Sequence, residues 1–235
     1  MNSKHLSKRL NKVADYVQAG ARLADIGSDH AYLPVYLVKE GKIDFAIAGE
    51  VVDGPYQSAV QEVAREGVED QVFPRFGDGL EVVTEADQID TLTICGMGGK
   101  LITEILDRGL TKARFPKPPQ LILQANVYEA GLRRYLLSHH YDIVAETIVA
   151  EAGKFYEIML AQYRDQVSDW SEQELQFGRY IAQNQPDVFK AKWQSVRQRH
   201  QMVLAGLDQA QTQAAKTKHK EFSRLIAEID QVLED

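Results

Sequence analysis

The chain has 235 residues, 44% hydrophobic and 26% charged, with a formal net charge of −7. This balance fits a globular protein of one large domain with a smaller appendage, and it argues weakly against a polyanionic partner. No run approaches the roughly 18–20 apolar residues of a membrane span, the basic start from Met1 to Lys12 carries no secretory h-region, and the single Cys95 excludes an internal disulfide or a zinc–cysteine cluster. A cytoplasmic protein is expected.

Hydrophobic periodicity switches along the chain between helical and extended spacing. Leu6, Leu10, Val13 and Val17 recur at helical spacing before Gly20, a stop signal. Arg22 to Ile26 reads as the first strand, and Leu33 to Val38 as a helix ending near Gly41. Asp44 to Ala48 reads as the second strand, closed by Gly49 and Glu50, and Tyr56 to Gly67 fits a helix opened by Pro55. Val72 to Phe76 and Asp90 to Ile94 are the third and fourth strands. They end at Gly77-Asp78-Gly79 and Cys95-Gly96-Met97-Gly98-Gly99. Leu101 to Leu106 is helical, Gln120 to Gln124 is the fifth strand, and Tyr128 to His139 is another helix. Tyr141 to Ala150 and Phe155 to Gln162 form two strands joined by a turn at Ala152-Gly153. Alternating strands and helices predict βαβ units in a mostly parallel sheet, and the short last connection predicts an antiparallel final pair.

The character changes near residue 166, which divides an α/β domain at 1–165 from a helical domain at 166–235. Phe189, Trp193, Val196, His200, Val203, Leu207 and Ala210 form a heptad seam, and Phe222, Leu225, Ile226, Ile229, Val232 and Leu233 a second stripe. Three helices are expected, the longer two packed as an antiparallel coiled-coil hairpin. The seam can be satisfied within one chain or between two, so a monomer is expected with a dimer as the alternative. Residues 190–224 hold eight Lys/Arg (including Lys190, Lys192, Arg197 and Arg199) and two acids. Lys4, Lys8, Arg9 and Lys12 form a second basic cluster, and Arg108, Lys112, Arg114 and Lys117 a third. Three such clusters in an acidic chain point to a nucleic-acid partner.

In a doubly wound sheet, ligand groups come from the carboxyl ends of successive strands. Here those ends supply Asp25, Gly27 and Asp29, then Glu50, then Asp78, then the glycine-rich 95–99 loop. Where a dinucleotide loop carries its second and third glycines, this chain has Asp29 and Ala31, and a carboxylate there repels a pyrophosphate. A cationic cofactor without phosphate, S-adenosylmethionine (SAM), suits it better. Gly27 lets the backbone approach the cofactor, Glu50 stands where an acid accepts ribose hydroxyls, and Asp78 can accept from an adenine amino group. Ser28, His30, Gly79, Cys95, Gly96, Met97 and Gly98 complete the expected cofactor set. No His/Asp/Glu cluster has metal spacing.

The segments Asp-Ile-Gly-Ser-Asp-His-Ala-Tyr-Leu-Pro (25–34), Ala-Gly-Glu-Val with Gly-Pro (48–55), Gly-Asp-Gly-Leu (77–80), Cys-Gly-Met-Gly-Gly (95–99) and Leu-Ile-Leu-Gln-Ala-Asn (121–126) together resemble the bacterial TrmK family. The resemblance implies a class I (Rossmann-like) SAM-methyltransferase sheet with an appended C-terminal helical coiled-coil domain. It further implies methylation of tRNA at N1 of adenine 22. N1-methyladenine is cationic, so a carboxylate near the base would stabilise the developing charge or take a proton. Asp29 is the catalytic candidate. Tyr32, Met97, Gly99 and Asn126 are candidates for contact with the base, and Arg9, Lys190, Lys192, Arg197 and Arg199 for the tRNA backbone. The alternatives are a SAM enzyme for a small molecule or protein with a dimerisation arm, and a non-catalytic binding module.

Overall fold

The structure, a computed structural model, describes residues 2–111, 113–207 and 212–234. Seven strands form one sheet in the order β3-β2-β1-β4-β5-β7-β6, from β1 (Arg22–Ile26), β2 (Phe45–Glu50), β3 (Val72–Phe76), β4 (Thr91–Met97), β5 (Gln120–Ala125), β6 (Tyr141–Glu151) and β7 (Lys154–Tyr163). β1 pairs in parallel with β2 and β4, β2 with β3, and β4 with β5, while β7 runs antiparallel to both β5 and β6. The order reverses beside β1, and this switch point opens a crevice at the carboxyl ends of the strands. The β6–β7 turn falls on Ala152 and Gly153, both left-handed at φ +49° and +74°, as a two-residue hairpin turn requires.

Period-2 alternation divides the buried residues between the two sheet faces. On one face Ala24, Ile26, Leu92, Ile94, Leu121 and Leu123 meet Ile102, Ile105 and Leu106 of α4 (Gly99–Gly109) and Leu132 and Leu136 of α5 (Glu129–Ser138). On the other, Leu23, Ala46, Ala48 and Ile122 meet α1 (Lys8–Tyr16), α2 (Tyr32–Lys39) and α3 (Asp53–Glu66). The N-terminus of α1 is fixed twice. Ser7 accepts the Leu10 N–H at 3.2 Å, and the Glu151 carboxylate of β6 accepts the N–H groups of Lys8 and Arg9 at 2.8 and 3.3 Å. Caps of this kind satisfy donors that the first helical turn leaves without partners.

The chain divides into two compact units, Met1–Tyr180 and Ile181–Asp235. The first unit continues beyond residue 165 because α6 (Glu172–Phe177) is tied back to the sheet. Arg133 of α5, fully buried, donates to Glu146 Oε1 and Glu157 Oε2 at 2.6 Å each, and its third branch reaches the Leu175 carbonyl of α6 at 3.1 Å. Where three helices were expected after residue 166 there are four among the described residues: α6, α7 (Arg179–Asn184), α8 (Pro186–Leu207) and α9 (Gln213–Glu234). Gly178 at φ +89° separates the first two. Within the second unit, His200 stacks on Phe222 at 4.4 Å and Arg197 pairs with Asp230 at 2.5 Å. Partners thus climb α9 as they descend α8, and the two helices are antiparallel. Along the seam Phe189 and Trp193 are buried while Val203 is 41% exposed. The side chains of Leu207 and Ala210, with Asp208 and Lys112, lie outside the described residues.

Removing one partner of a buried ionic cluster leaves the others charged and unpaired, which costs about 3–5 kcal/mol. Arg133→Met is expected to lower the unfolding free energy of the first unit by about that amount, measured by urea denaturation with sheet-sensitive circular dichroism.

Candidate functional site

The loop after β1 is a strained turn held by β2. Gly27 sits at φ +69°, and Asp29, His30 and Ala31 follow in the left-handed region at +39°, +72° and +57°. Three successive non-glycine residues there are uncommon and persist only where the surroundings enforce them. Here the N–H groups of Gly27 and Ser28 donate to the Gly49 carbonyl at 2.9 and 3.2 Å, and the Asp29 N–H donates to Glu50 Oε1 at 2.6 Å. Glu50 is 6% exposed, and its second carboxylate oxygen has no hydrogen-bond partner among the described residues. Asp25 is buried, with its two oxygens accepting from the Ser28 and Thr93 hydroxyls at 2.6 Å each.

The ends of β1 to β4 border one cavity of about 430 Å³. Asp25, Asp29, Glu50 and Asp78 line it, with Gly27, Ser28, Gly79, Cys95, Gly96 and Met97. Gly27 sits against the Met97 methyl, and its left-handed φ of +69° is the reason a side chain is disfavoured at this position. Asp78 is gripped by Arg108 of α4, at 2.8 Å for Nη1–Oδ2 and a looser 3.4 Å for Nη2–Oδ1. Of the cations lining the cavity, the described residues supply Arg9 alone. Four carboxylates against one guanidinium favour a ligand that carries positive charge and no phosphate.

The chain matches the TrmK family profile, described as tRNA (adenine(22)-N(1))-methyltransferase, over residues 23–231. It is 38% identical to the tRNA (adenine(22)-N(1))-methyltransferase of Bacillus subtilis (strain 168) over 239 aligned residues, covering 100% of this chain and 99% of that protein. A Streptococcus pneumoniae structure in complex with S-adenosyl-L-methionine superposes with a TM-score of 0.87 at 41% identity, covering 97% of this chain and 100% of that one. The M. capricolum TrmK structure in complex with S-adenosyl-homocysteine gives 0.82 at 28% identity, covering 97% and 98%. The chain belongs to the TrmK family.

Within the TrmK site, the fourth-strand loop is organised by Gln124, which the sequence did not single out as a site residue, together with Asn126 and Arg9. Cys95 faces Gln124 and Met97 faces Ala125, so Gly96 is an extra residue bulged from β4 at φ +79°. Gln124 holds this bulge: its Oε1 accepts the Gly96 N–H at 3.1 Å and Arg9 Nη1 at 2.6 Å, and its Nε2 donates to Asn126 Oδ1 at 3.1 Å. Asn126 returns a bond to the Gly96 carbonyl at 2.7 Å. Thr93, which fixes Asp25, and Gln124 share one sequence signal, a polar residue inside an otherwise apolar strand. The Cys95 thiol is pushed up to about 12, chiefly by desolvation and then by the Asp25 charge, with Arg9 opposing. It is a poor nucleophile.

Several expected placements change. Arg9, expected on the tRNA backbone, turns inward to Gln124 and lies 5.4 Å from the Tyr156 ring. Lys4 and Lys12 of the same cluster pair with Glu66 and Asp15. His30 does not line the cavity. It stacks on Tyr32 at 5.1 Å, with its Nε2 3.5 Å from Asp29 Oδ1. Tyr32, Gly98, Gly99 and Asn126 also stand outside the cavity lining. In the second unit, Lys192 is 7% exposed with its ammonium 4.7 Å from the Trp193 ring, and Arg197 is committed to Asp230. Lys190 and Arg199 are exposed.

Burial pushes the Asp25 carboxyl up to about 6, with Glu50 adding to the rise and the two hydroxyls and Arg9 opposing it. A carboxyl whose folded value lies above its unfolded 3.8 retains its proton longer in the folded state. Its contribution to stability therefore falls as pH rises from about 4 to about 6, by roughly 3 kcal/mol in all. Thermal melts of the ligand-free protein across that window are expected to show this loss in the wild type and not in Asp25→Asn.

Proposed function

We propose that this protein transfers the methyl group of SAM to N1 of adenine 22 of tRNA. The observation that carries the reading is the acidic, phosphate-averse cavity at the sheet's switch point in a chain of the TrmK family. The residues fit the cofactor. Glu50 offers one uncommitted carboxylate oxygen to ribose hydroxyls, Gly27 presents backbone without a side chain at the cavity wall, and Asp78 keeps one lightly engaged oxygen for an adenine amino group. SAM, when bound, supplies a methyl group on a positively charged sulfonium.

The protein's own contribution is position and charge. N1 carries an in-plane lone pair, so alignment of two atoms does most of what the reaction needs, and the base must be unpaired or extruded to present that edge. The product ring is cationic. Asp29, fixed through its own N–H to Glu50, holds a carboxylate at the cavity, where it stabilises the growing positive charge or accepts a proton from the amino group. Because Glu50 serves both the ribose site and the Asp29 loop, cofactor binding and placement of the catalytic carboxylate are coupled through one side chain.

The second unit supplies the phosphate grip in this reading. Its α8–α9 pair is a short coiled-coil hairpin whose exposed cations, Lys190 and Arg199 with Lys216, Lys218 and Lys220, face the polyanion. A single chain acts in the cytoplasm as a monomer. No helix among the described residues is long and apolar enough to cross a membrane, and no group of three or more His/Cys/Asp/Glu among them is arranged to hold a metal ion.

Labelled SAM with bulk bacterial tRNA is expected to place label in RNA, mapped by mass spectrometry to N1 of one adenine; label in protein or small molecules alone would refute the assignment. Asp29→Asn should lower turnover about 10²-fold, far more than it weakens SAM binding by calorimetry, and full turnover would remove Asp29 from its role. Lys190→Gln and Arg199→Gln should each weaken tRNA binding and lower the slope of log affinity against log salt by about 1.

A further inference from the structure

Tyr128 stands at the carboxyl end of β5, in a conformation that an aromatic residue rarely adopts. Its φ is +71°, an outlier for a bulky side chain. Two glycines make room for it. A Cβ on Gly131 would lie 2.1 Å from the Tyr128 ring, and a Cβ on Gly99 would lie 2.9 Å from the carbonyl oxygens of both Val127 and Tyr128. The Gly99 N–H also donates to the Val127 carbonyl at 2.9 Å. The 127–128 loop is thus pinned against the Gly98-Gly99 end of the fourth-strand loop. Despite this pinning, Tyr128 is 56% exposed and does not line the cavity. Strain that the surroundings enforce, on a side chain left open, suggests a functional placement.

The surroundings narrow what it meets. Val127 beside it is 62% exposed, and Leu101, two residues after Gly99, is 46% exposed and lines the cavity. The cavity beside them carries Asp29, Glu50 and Asp78. Carboxylates repel phosphate, and an apolar rim offers it no donors, whereas the flat face of a nucleobase suits both. From this we infer that Tyr128 is a stacking platform for the nucleobase next to the one being methylated, and that Gly99 and Gly131 hold it in place. The inference rests on the tRNA reading above and names how that substrate is held.

The test is steady-state methylation of tRNA, with thermal melts and SAM calorimetry on each variant. Asparagine tolerates the left-handed region, so Tyr128→Asn should keep the melting temperature and SAM affinity while KM for tRNA rises about tenfold and kcat stays within twofold. Tyr128→Phe should match the wild type, because the ring is the platform. Gly131→Ala should raise KM for tRNA with the tyrosine still present, since its Cβ displaces the ring. A wild-type KM in Tyr128→Asn overturns the inference. So does a lowered melting temperature with kcat and both KM values impaired together, which marks a purely structural residue. A wild type that methylates no RNA instead sinks the tRNA reading itself, so the two failures are distinguishable.

Discussion

The hydrogen bond from the Asp29 N–H to Glu50, at 2.6 Å, is the contact on which the rest of the site depends. It joins the loop after β1 to the end of the neighbouring strand β2, beside the switch point of the sheet. Without it, three left-handed residues at 29–31 would have little to hold them, because their conformation is costly for any side chain with a Cβ. The same bond consumes one oxygen of Glu50, orients the other, and fixes the backbone from which the Asp29 carboxylate projects. In the proposed function this one short turn meets two requirements of methyl transfer, a clamp on the donor from Glu50 and a charge near the acceptor from Asp29.

The sequence made the strand ends legible because each apolar run stops at glycine or an acid, and a parallel sheet brings such stops to one edge. Arg22–Ile26 and Val72–Phe76 have the bounds that periodicity suggested, and Asp25, Glu50 and Asp78 meet at one cavity. Charge was less legible. A count along the chain sees only neighbours in sequence, whereas folding brings Glu66 to Lys4, Asp78 to Arg108 and Asp230 to Arg197. Arg9 was hardest to place, since nothing near it in sequence shows that Gln124, far along the chain, draws it inward. The bulge at Gly96 was hidden for a similar reason: it exists only as a mismatch of register between β4 and β5.

The buried cluster of Arg133, Glu146 and Glu157 links the sheet's antiparallel edge to α5 and, through the Leu175 carbonyl, to α6. Such clusters seldom raise stability over an apolar core of equal volume. Their effect is to define one arrangement, because each donor has a fixed partner and any slip strands a charge. β7 lies beside β5, whose Gln124 and Asn126 hold the Gly96 bulge. The cluster therefore steadies the Gly96 bulge by fixing the strand that pairs with β5.

An acidic site for a polyanionic substrate looks contradictory until the two parts of the substrate are separated. In the proposed reaction the partners at the cavity are a sulfonium and a ring that becomes cationic, and the carboxylates lining it, Asp25, Asp29, Glu50 and Asp78, favour both. Phosphates lose there, so RNA must approach base first, with its backbone held by cations elsewhere. The segment 190–224, with eight Lys/Arg and two acids, is the largest of the three basic clusters in a chain of net −7. Asp25 shows the same logic at the scale of one residue. Burial raises its pKa to about 6, so its charge is carried at a cost in the free protein. A positive ligand in the cavity that Asp25 lines offsets that cost, and the free energy stored in an unfavourable buried carboxylate becomes part of the selectivity for a cationic cofactor.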